Sequence, residues 1–250
     1  MDTEAQVPRC LWPVAVRADG RRHEGAPCFA DGGALPGAPG EPILLDHAGP
    51  RAALWSPARA LGASDVVEPT TGRRPQPLDE DGWRELERAF AQAAQVVRAA
   101  GRVPVLALDD DGLLQHAISP RTGAAADQQR RERALALHRA CGAIDVALCV
   151  EELCPGGGDA TDGIELARAL HAQGAATLYA SAGSHAFPPL RDRVKGGSEG
   201  DPGLALCSAA WLVGRVPARI VALVTRGDPG SITARAHALG LAGVATRGQP

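Results

Sequence analysis

The chain has 250 residues, 45% of them hydrophobic, which is enough for one large core without disulfides or metals. Its formal net charge is −3 and the charges alternate in sign, which argues against nucleic acid as a partner. There is no apolar leader segment and no apolar run of transmembrane length, so we expect a soluble, cytoplasmic protein without membrane contact.

The six cysteines are scattered, with no CxxC pair and no histidine at the spacing of a metal site. Several lie inside predicted strands or helices, where a free cysteine behaves as a small buried hydrophobic residue. We therefore expect a reduced protein that holds no metal.

From residue 78 onward, helical and strand patterns alternate. The segment 78–101 places apolar residues on one helical face, with Asp79 as the predicted N-cap and Gly101 as the stop. A short buried strand over 102–108 follows, bounded by an acidic turn. The buried helical face is predicted to contain Trp83, Leu86, Phe90, Ala93, Ala94 and Val97.

The same alternation continues along the rest of the chain. Strands separated by single helices imply parallel pairing with right-handed crossovers, and 250 residues is a usual length for an eight-stranded β/α barrel. Thr161 and Ser231 are the predicted N-caps of two of the helices. Helices are predicted over 127–141, 162–174, 204–214 and from 231, and strands over 144–150, 176–183, 218–224 and 242–246.

The first 77 residues are less regular. The segments "WPVAVR", "APCFA" and "PILLD" are candidates for three more strands, which would complete eight. They fall within roughly 35 residues, which leaves no room for ordinary crossover helices. We therefore predict a single α/β domain over 1–250, a (β/α)8 TIM-type barrel whose portion over 1–77 is abbreviated or irregular and whose portion over 78–250 has regular repeats.

Working residues in such a barrel lie at the carboxyl ends of the strands. Carboxylate, imidazole, hydroxyl and guanidinium groups gather at the predicted ends, which makes this rim the candidate site. The residues there are Asp46 and His47, Asp109 to Asp111, Cys149 with Glu151 and Glu152, Ser181 with Gly183 and His185, Thr225 to Gly227, and Thr246 to Gly248.

Several of these groups also have ordinary structural explanations. The acidic turn after residue 108 is typical of a solvated loop, and Glu151 and Glu152 are expected at the surface. His47 has no matching partner, which leaves a structural role open beside contact with a ligand. Tyr179, the only tyrosine, is expected to pack in the core, and Cys149 to be a buried apolar residue.

Four segments of the sequence resemble, in the same order along the chain, four motifs of one protein family. They are "LLDHAGPRAAL", "PLDEDGWRELERAFAQAAQVVRAAG", "DGLLQHAISPRTGAAAD" and "GGGDATDGIELARALHAQGA" with "YASAG". They resemble "QLxHxGR", "LTxEEIxxxxxxFxxAAxxAxxAG", "GYLxxxFLSPxxNxRxD" and "GGxxxEDxxxxAxxLxxxGVDxIxxSSG" of the old yellow enzyme-type flavin oxidoreductases. The resemblance covers about 40 to 250.

The resemblance implies an FMN-dependent oxidoreductase that passes hydride from NAD(P)H to a small-molecule substrate such as an activated alkene. It places His47 and Asp110 at catalytic positions. The segments "LVTRG" and "VATRG" occupy the family's flavin-phosphate positions, where backbone amides and an arginine suit the phosphate charge. The implied cofactor-binding residues are Ser181, Gly183, Thr225, Arg226, Gly227, Arg247 and Gly248.

Other family residues are replaced. Leu44 stands where a glutamine bonds the flavin ring, and Cys149 where an arginine balances its charge. Ala107 and Asp110 stand at the histidine pair that binds the substrate oxygen, where an ionised carboxylate would repel developing enolate charge. Gly112 stands at the proton-donating tyrosine.

Two functions from different classes therefore remain open. One is an FMN-dependent NAD(P)H oxidoreductase with an altered ring-binding site. The other is a non-catalytic barrel that has lost FMN chemistry and serves as a binding or partner domain. The compressed N-terminal portion also fits a fragment of a larger multidomain flavoprotein, and a homo-oligomer is a further possibility.

Overall fold

In the computed structural model, the described residues are 9–16, 35, 38–47, 80–109, 118–120, 127–153, 156–183, 203–224 and 229–247. Their strands are β1 Arg9–Val16, β2 Pro42–His47, β3 Val103–Leu108, β4 Asp145–Glu151, β5 Thr177–Ala182, β6 Arg219–Val224 and β7 Gly243–Arg247. Their helices are α1 Glu80–Ala99, α2 Asp127–Cys141, α3 Ala160–Ala172, α4 Gly203–Ala210 and α5 Pro229–Ala238. No helix among these residues is long and apolar enough to cross a membrane.

The described strands form one closed barrel in chain order, and every neighbouring pair is parallel. β1 closes the ring because it pairs on one side with β2 and on the other with β7. All strands therefore run in one direction, and their carboxyl ends meet at one end of the barrel. The parallel α/β architecture predicted from the alternating pattern is confirmed.

The number of strands differs from the eight predicted, because the described ring closes with seven. The segments "WPVAVR" and "PILLD" fall on β1 and β2, while "APCFA" lies outside the described residues. β1 and β2 are hydrogen-bonded to each other directly, with Val14 opposite Leu45. This pairing leaves no position between them for a strand from the intervening segment.

Two helix starts differ from the sequence prediction. α3 is capped by Asp159, not Thr161: the Asp159 carboxylate accepts the backbone N–H groups of Thr161 and Asp162 at 2.7 and 3.1 Å. The Asp162 side chain accepts the Asp159 N–H in return, so this capping box satisfies more free N–H groups than a single hydroxyl would. α5 begins at Pro229, which places Ser231 inside its first turn.

The barrel interior is a small apolar cluster made by alternate residues of the strands. Tyr179 of β5 is its largest side chain and only 1% exposed, which confirms the prediction that it packs in the core. Small residues such as Ala107 and Ala147 face the same interior and leave room for the ring. The outward-facing strand residues pack under the helices and form the larger core, which includes all six residues predicted for the buried face of α1.

α3 lies unusually close to β4 at Gly163. A Cβ atom added to Gly163 would stand 2.0 Å from the carbonyl oxygen of Val150. Backbone atoms cannot move aside as the end of a flexible side chain can, so only glycine permits this approach of the helix to the strand.

We predict that Gly163→Ala will destabilise the fold by about 3 kcal/mol, because overpacking must push α3 away from β4. For a domain of this size that corresponds to a fall of about 6 to 12 °C in the melting temperature, measured by circular dichroism. Gly158→Ala is the matched control, since its Cβ would meet its nearest atom, on Asp162, at an ordinary 3.7 Å. Equal melting temperatures for the two variants would contradict the prediction.

Cys141, Cys149 and Cys207 are free thiols, the first two buried and the third exposed. Burial raises the pKa of Cys141 from 9.0 to about 12, against a smaller opposing effect of Arg98. The Arg98 guanidinium lies beside it because it donates to the Cys141 and Gly142 carbonyls at 2.7 and 2.8 Å at the end of α2.

The raised pKa of Cys141 predicts a loss of stability at alkaline pH. The unfolded chain loses the thiol proton near pH 9.0 while the folded chain keeps it to about pH 12, so stability falls as pH rises between these values. Urea unfolding at about pH 8 and about pH 10.5 measures the loss. It should be smaller in Cys141→Ala, whereas the exposed-site variant Cys207→Ala should keep the wild-type loss. The same loss in all three proteins would exclude this origin.

Candidate functional site

The carboxyl ends of β3, β4 and β5 form the part of the barrel mouth that the structure describes best. Asp109 directly follows β3 and is only 2% exposed. It continues the alternation of Val105 and Ala107, which face the barrel interior. The prediction of a solvated turn is therefore wrong for Asp109, a buried carboxylate at the edge of the interior.

Cys149 links the ends of β4 and β5. Its Sγ lies 3.3 Å from the carbonyl oxygens of both Glu151 and Gly183, so the thiol donates its proton to this pair of acceptors. The Gly183 N–H donates to the Glu151 carbonyl at 2.8 Å, and the register of the two strands shifts between Cys149 and Glu151. The predicted burial of Cys149 is confirmed, but its thiol is a hydrogen-bond donor at the end of β4 and does not pack as a purely apolar group.

Glu151 and Glu152, which lie at the shift in register, have different hydrogen-bond partners. Glu151 accepts a hydrogen bond from the Ser208 hydroxyl of α4. Glu152 is 5% exposed and accepts from the Ser119 hydroxyl at 2.8 Å. The prediction that both glutamates lie at the surface is therefore wrong for Glu152, because a distant serine satisfies its carboxylate in the protein interior.

Arg130, Glu152 and the exposed Asp162 lie close enough to interact electrostatically on the outer side of the barrel. Arg130 of α2 is 6% exposed, and burial lowers its pKa while Asp162 and Glu152 act to raise it. Next to Arg130 is a cavity of about 70 Å³ whose walls come from the residues around Ser119 and from α2 and α3. The cavity is lined by Ile118, Pro120, Arg130, Arg131, Asp162 and Leu166.

We predict that Ser119→Ala will cost about 1 to 3 kcal/mol of unfolding free energy, because the buried Glu152 carboxylate loses a hydrogen bond. Ser181→Ala is the control: its hydroxyl is half-buried and its bond to the Leu148 carbonyl is long, at 3.4 Å. Urea unfolding of both variants measures the difference. A Ser119→Ala variant as stable as Ser181→Ala would show that this hydrogen bond contributes little.

The residues singled out from the sequence are placed as follows. Ser181 and Gly183 lie at the end of β5, directly beside Cys149. His47 and Arg247 are the last residues of β2 and β7, the two strands that flank β1. The structure thus brings four of the predicted residues to one end of the barrel. The other five, Asp110, Thr225, Arg226, Gly227 and Gly248, lie outside the described residues.

The sequence did not predict that Ser208 and Ser119 donate hydrogen bonds to Glu151 and Glu152. Ser208 lies in a helix whose other residues are mostly small and apolar, and it has no motif around it. Ser119 belongs to the "SP" pair within one of the family-like segments, but nothing nearby in sequence indicates that it bonds residue 152. Only the closure of the fold brings them to the glutamates.

No family model and no curated protein matches the chain. Solved structures do. A 2-naphthoyl-CoA reductase complex superposes with a TM-score of 0.61 at 17% identity over 74% of this chain and 30% of that one. A morphinone reductase variant in complex with tetrahydroNAD gives 0.55 at 16%, over 82% and 61%. An old yellow enzyme homologue from Zymomonas mobilis gives 0.57 at 16%, over 82% and 62%.

The chain shares the parallel β/α barrel fold of these structures. It spans between about a third and three-fifths of the length of these three structures. At such low identity the likeness establishes the fold alone, and it agrees with the family that the sequence motifs resemble.

The described rim can be compared directly with the needs of a flavin ring. The ends of β3, β4 and β5 supply the carboxylates of Asp109 and Glu151, the thiol of Cys149 and the hydroxyl of Ser181, with no guanidinium or imidazole. A reduced flavin carries negative charge, and these three strand ends supply no positive group to balance it, so they do not fit the ring. Nor do the described residues contain a group of three or more potential metal ligands.

Proposed function

We propose that the chain is a divergent old yellow enzyme-type protein, an FMN-dependent NAD(P)H oxidoreductase with an altered ring-binding site. The observation that supports this most is the direct pairing of β6 with β7. Each of these strands leads into a Thr-Arg-Gly segment, at 225–227 and 246–248. The pairing brings the carboxyl ends of these two strands together, which supports a shared role for the two segments.

Two adjacent arginine-glycine segments suit a phosphate group. Val224, the last residue of β6, lies opposite Thr246 of β7 in the strand register, so the carboxyl ends of the two strands are neighbours. Glycines allow the backbone N–H groups to come close to an anion, and arginine binds phosphate oxygens in pairs. In this proposal Thr225, Arg226, Gly227, Arg247 and Gly248 hold the phosphate of FMN, and Ser181 and Gly183 lie along the cofactor.

We assign no catalytic step to the ends of β3, β4 and β5, because their side chains do not fit the flavin ring. This mismatch favours a second candidate function, a non-catalytic barrel that binds a partner. Cys149 is the specific observation: the thiol that stands in place of a charged arginine is fully engaged with two backbone carbonyls. His47 and Asp110 remain the candidate substrate contacts if the protein is active.

If these residues hold the phosphate of FMN, the protein should bind FMN but not riboflavin, which lacks the phosphate. Quenching of flavin fluorescence on titration of the purified protein measures both. Arg247→Ala should weaken FMN binding about tenfold or more, since a charged hydrogen-bonding group to phosphate is lost. Arg219→Ala is the matched control, because Arg219 is an exposed arginine at the amino end of β6.

Three outcomes separate the two functions. FMN binding with oxidation of NAD(P)H supports the oxidoreductase and excludes the non-catalytic barrel. FMN binding without oxidation of NAD(P)H supports the proposed phosphate-binding residues but contradicts the oxidoreductase activity. A colourless protein whose melting temperature does not change in excess FMN contradicts the oxidoreductase.

A further inference from the structure

The outer side of α4 carries an exposed apolar stripe. Leu204, Cys207 and Trp211 recur at spacings of three and four residues, which places them on one side of the helix. The Trp211 N–H donates to the Ser208 carbonyl at 3.2 Å, so the turns of the helix continue to Trp211. Leu204 is 37% exposed, Trp211 is 46% exposed, and Cys207 is exposed too. We call these three residues the α4 face.

The α4 face differs from the solvated side of an ordinary barrel helix. No charged side chain occurs from 203 to 214, and the opposite side of α4 packs against the barrel. A helix that is apolar on every side is typical of a helix that is covered on every side, and exposed apolar surface of this kind marks interaction sites. The buried residues of α4 are Gly203, Ala205, Leu206, Ser208 and Ala209.

Three arginines surround the Trp211 end of this stripe, and we call them the basic end. The Arg215 guanidinium stacks over the Trp211 ring at 5.3 Å and donates to the Trp211 carbonyl at 3.0 Å. Arg168 of α3 donates to the Arg215 carbonyl at 3.0 Å, and the exposed Arg219 begins β6. Within the described part of the chain, no carboxylate forms an ion pair with any of these three arginines.

The chemistry of this surface defines its partner. An apolar stripe without charge along its length does not follow a phosphate backbone, which argues against nucleic acid. The basic end is complementary to carboxylates, and in α1 of this chain the exposed carboxylates alternate with arginines, so that helix of a second copy offers no matching acidic surface. A foreign helix that is apolar along one side and acidic at one end matches both features.

We propose that the α4 face and the basic end dock an amphipathic helix of another protein. Its apolar side covers Leu204 and Trp211, and its carboxylates bind the three arginines. Carboxylates are most favourable in the first turn of a helix, so the partner helix runs antiparallel to α4, with its amino end at the basic end. Tryptophan and arginine contribute most binding energy at interfaces, and here Arg215 already holds the Trp211 ring in place. The proposal does not depend on the proposed function.

A labelled synthetic helical peptide of about 18 residues, with leucines along one side and glutamates in its first turn, is the probe. A second peptide has lysines in place of these glutamates. Fluorescence anisotropy with the full chain, its thiols kept reduced, should give a Kd below about 100 µM for the acidic peptide at about 20 mM salt, and weaker binding at about 500 mM. The lysine peptide should bind at least about tenfold more weakly.

Trp211→Ala and Arg215→Glu should each weaken binding of the acidic peptide about tenfold or more, and Arg215→Glu should strengthen binding of the lysine peptide. This reversal distinguishes a lost charge contact from a variant that fails to fold. Arg88→Glu is the matched control, because it makes the same change of charge at an exposed position of α1 and should leave both affinities unchanged.

Three results would overturn the proposal. The first is no binding of the acidic peptide, or equal binding of both peptides, at low salt. The second is binding that neither Trp211→Ala nor Arg215→Glu weakens, since the peptide would then lie elsewhere. The third is self-association of the chain in sedimentation velocity that Trp211→Ala abolishes, because a second copy would then cover the α4 face.

Discussion

The hydrogen bonding of β1 to both β2 and β7 is the constraint on which the rest of this structure depends. Without it the other six strands would form an open curved sheet with two unpaired edges. With it the strands share one direction around a closed ring, and every carboxyl end reaches the same mouth. The buried Asp109 after β3 and the contact of the Cys149 thiol with the end of β5 lie at one mouth because the ring is closed.

The polar groups of this mouth are satisfied mostly from within the protein. The Cys149 thiol donates to two carbonyls, and the two glutamates that follow it accept from serines of different segments. Each of these bonds also fixes a neighbouring backbone segment. Cys149, Glu151 and Glu152 thus contribute to holding these segments together.

Much of the fold could be predicted from the sequence because its signals are local. The apolar face of α1 and the uninterrupted apolar strands follow from periodicity alone, and α2 has the predicted bounds of 127–141. The direct pairing of β1 with β2 and the burial of Glu152 could not be predicted. Both depend on contacts between distant parts of the chain, such as Ser119 with Glu152, 33 residues apart.

The seven strands that close the ring in the described part of the chain have a geometric consequence. Neighbouring strands stand about 4.8 Å apart, so removing one shortens the circumference by about one eighth and narrows the interior. The cross-section then accommodates one large ring, that of Tyr179, only when alanines such as Ala107, Ala147 and Ala245 occupy the facing positions. The floor of the mouth is correspondingly smaller than the floor that eight strands would form.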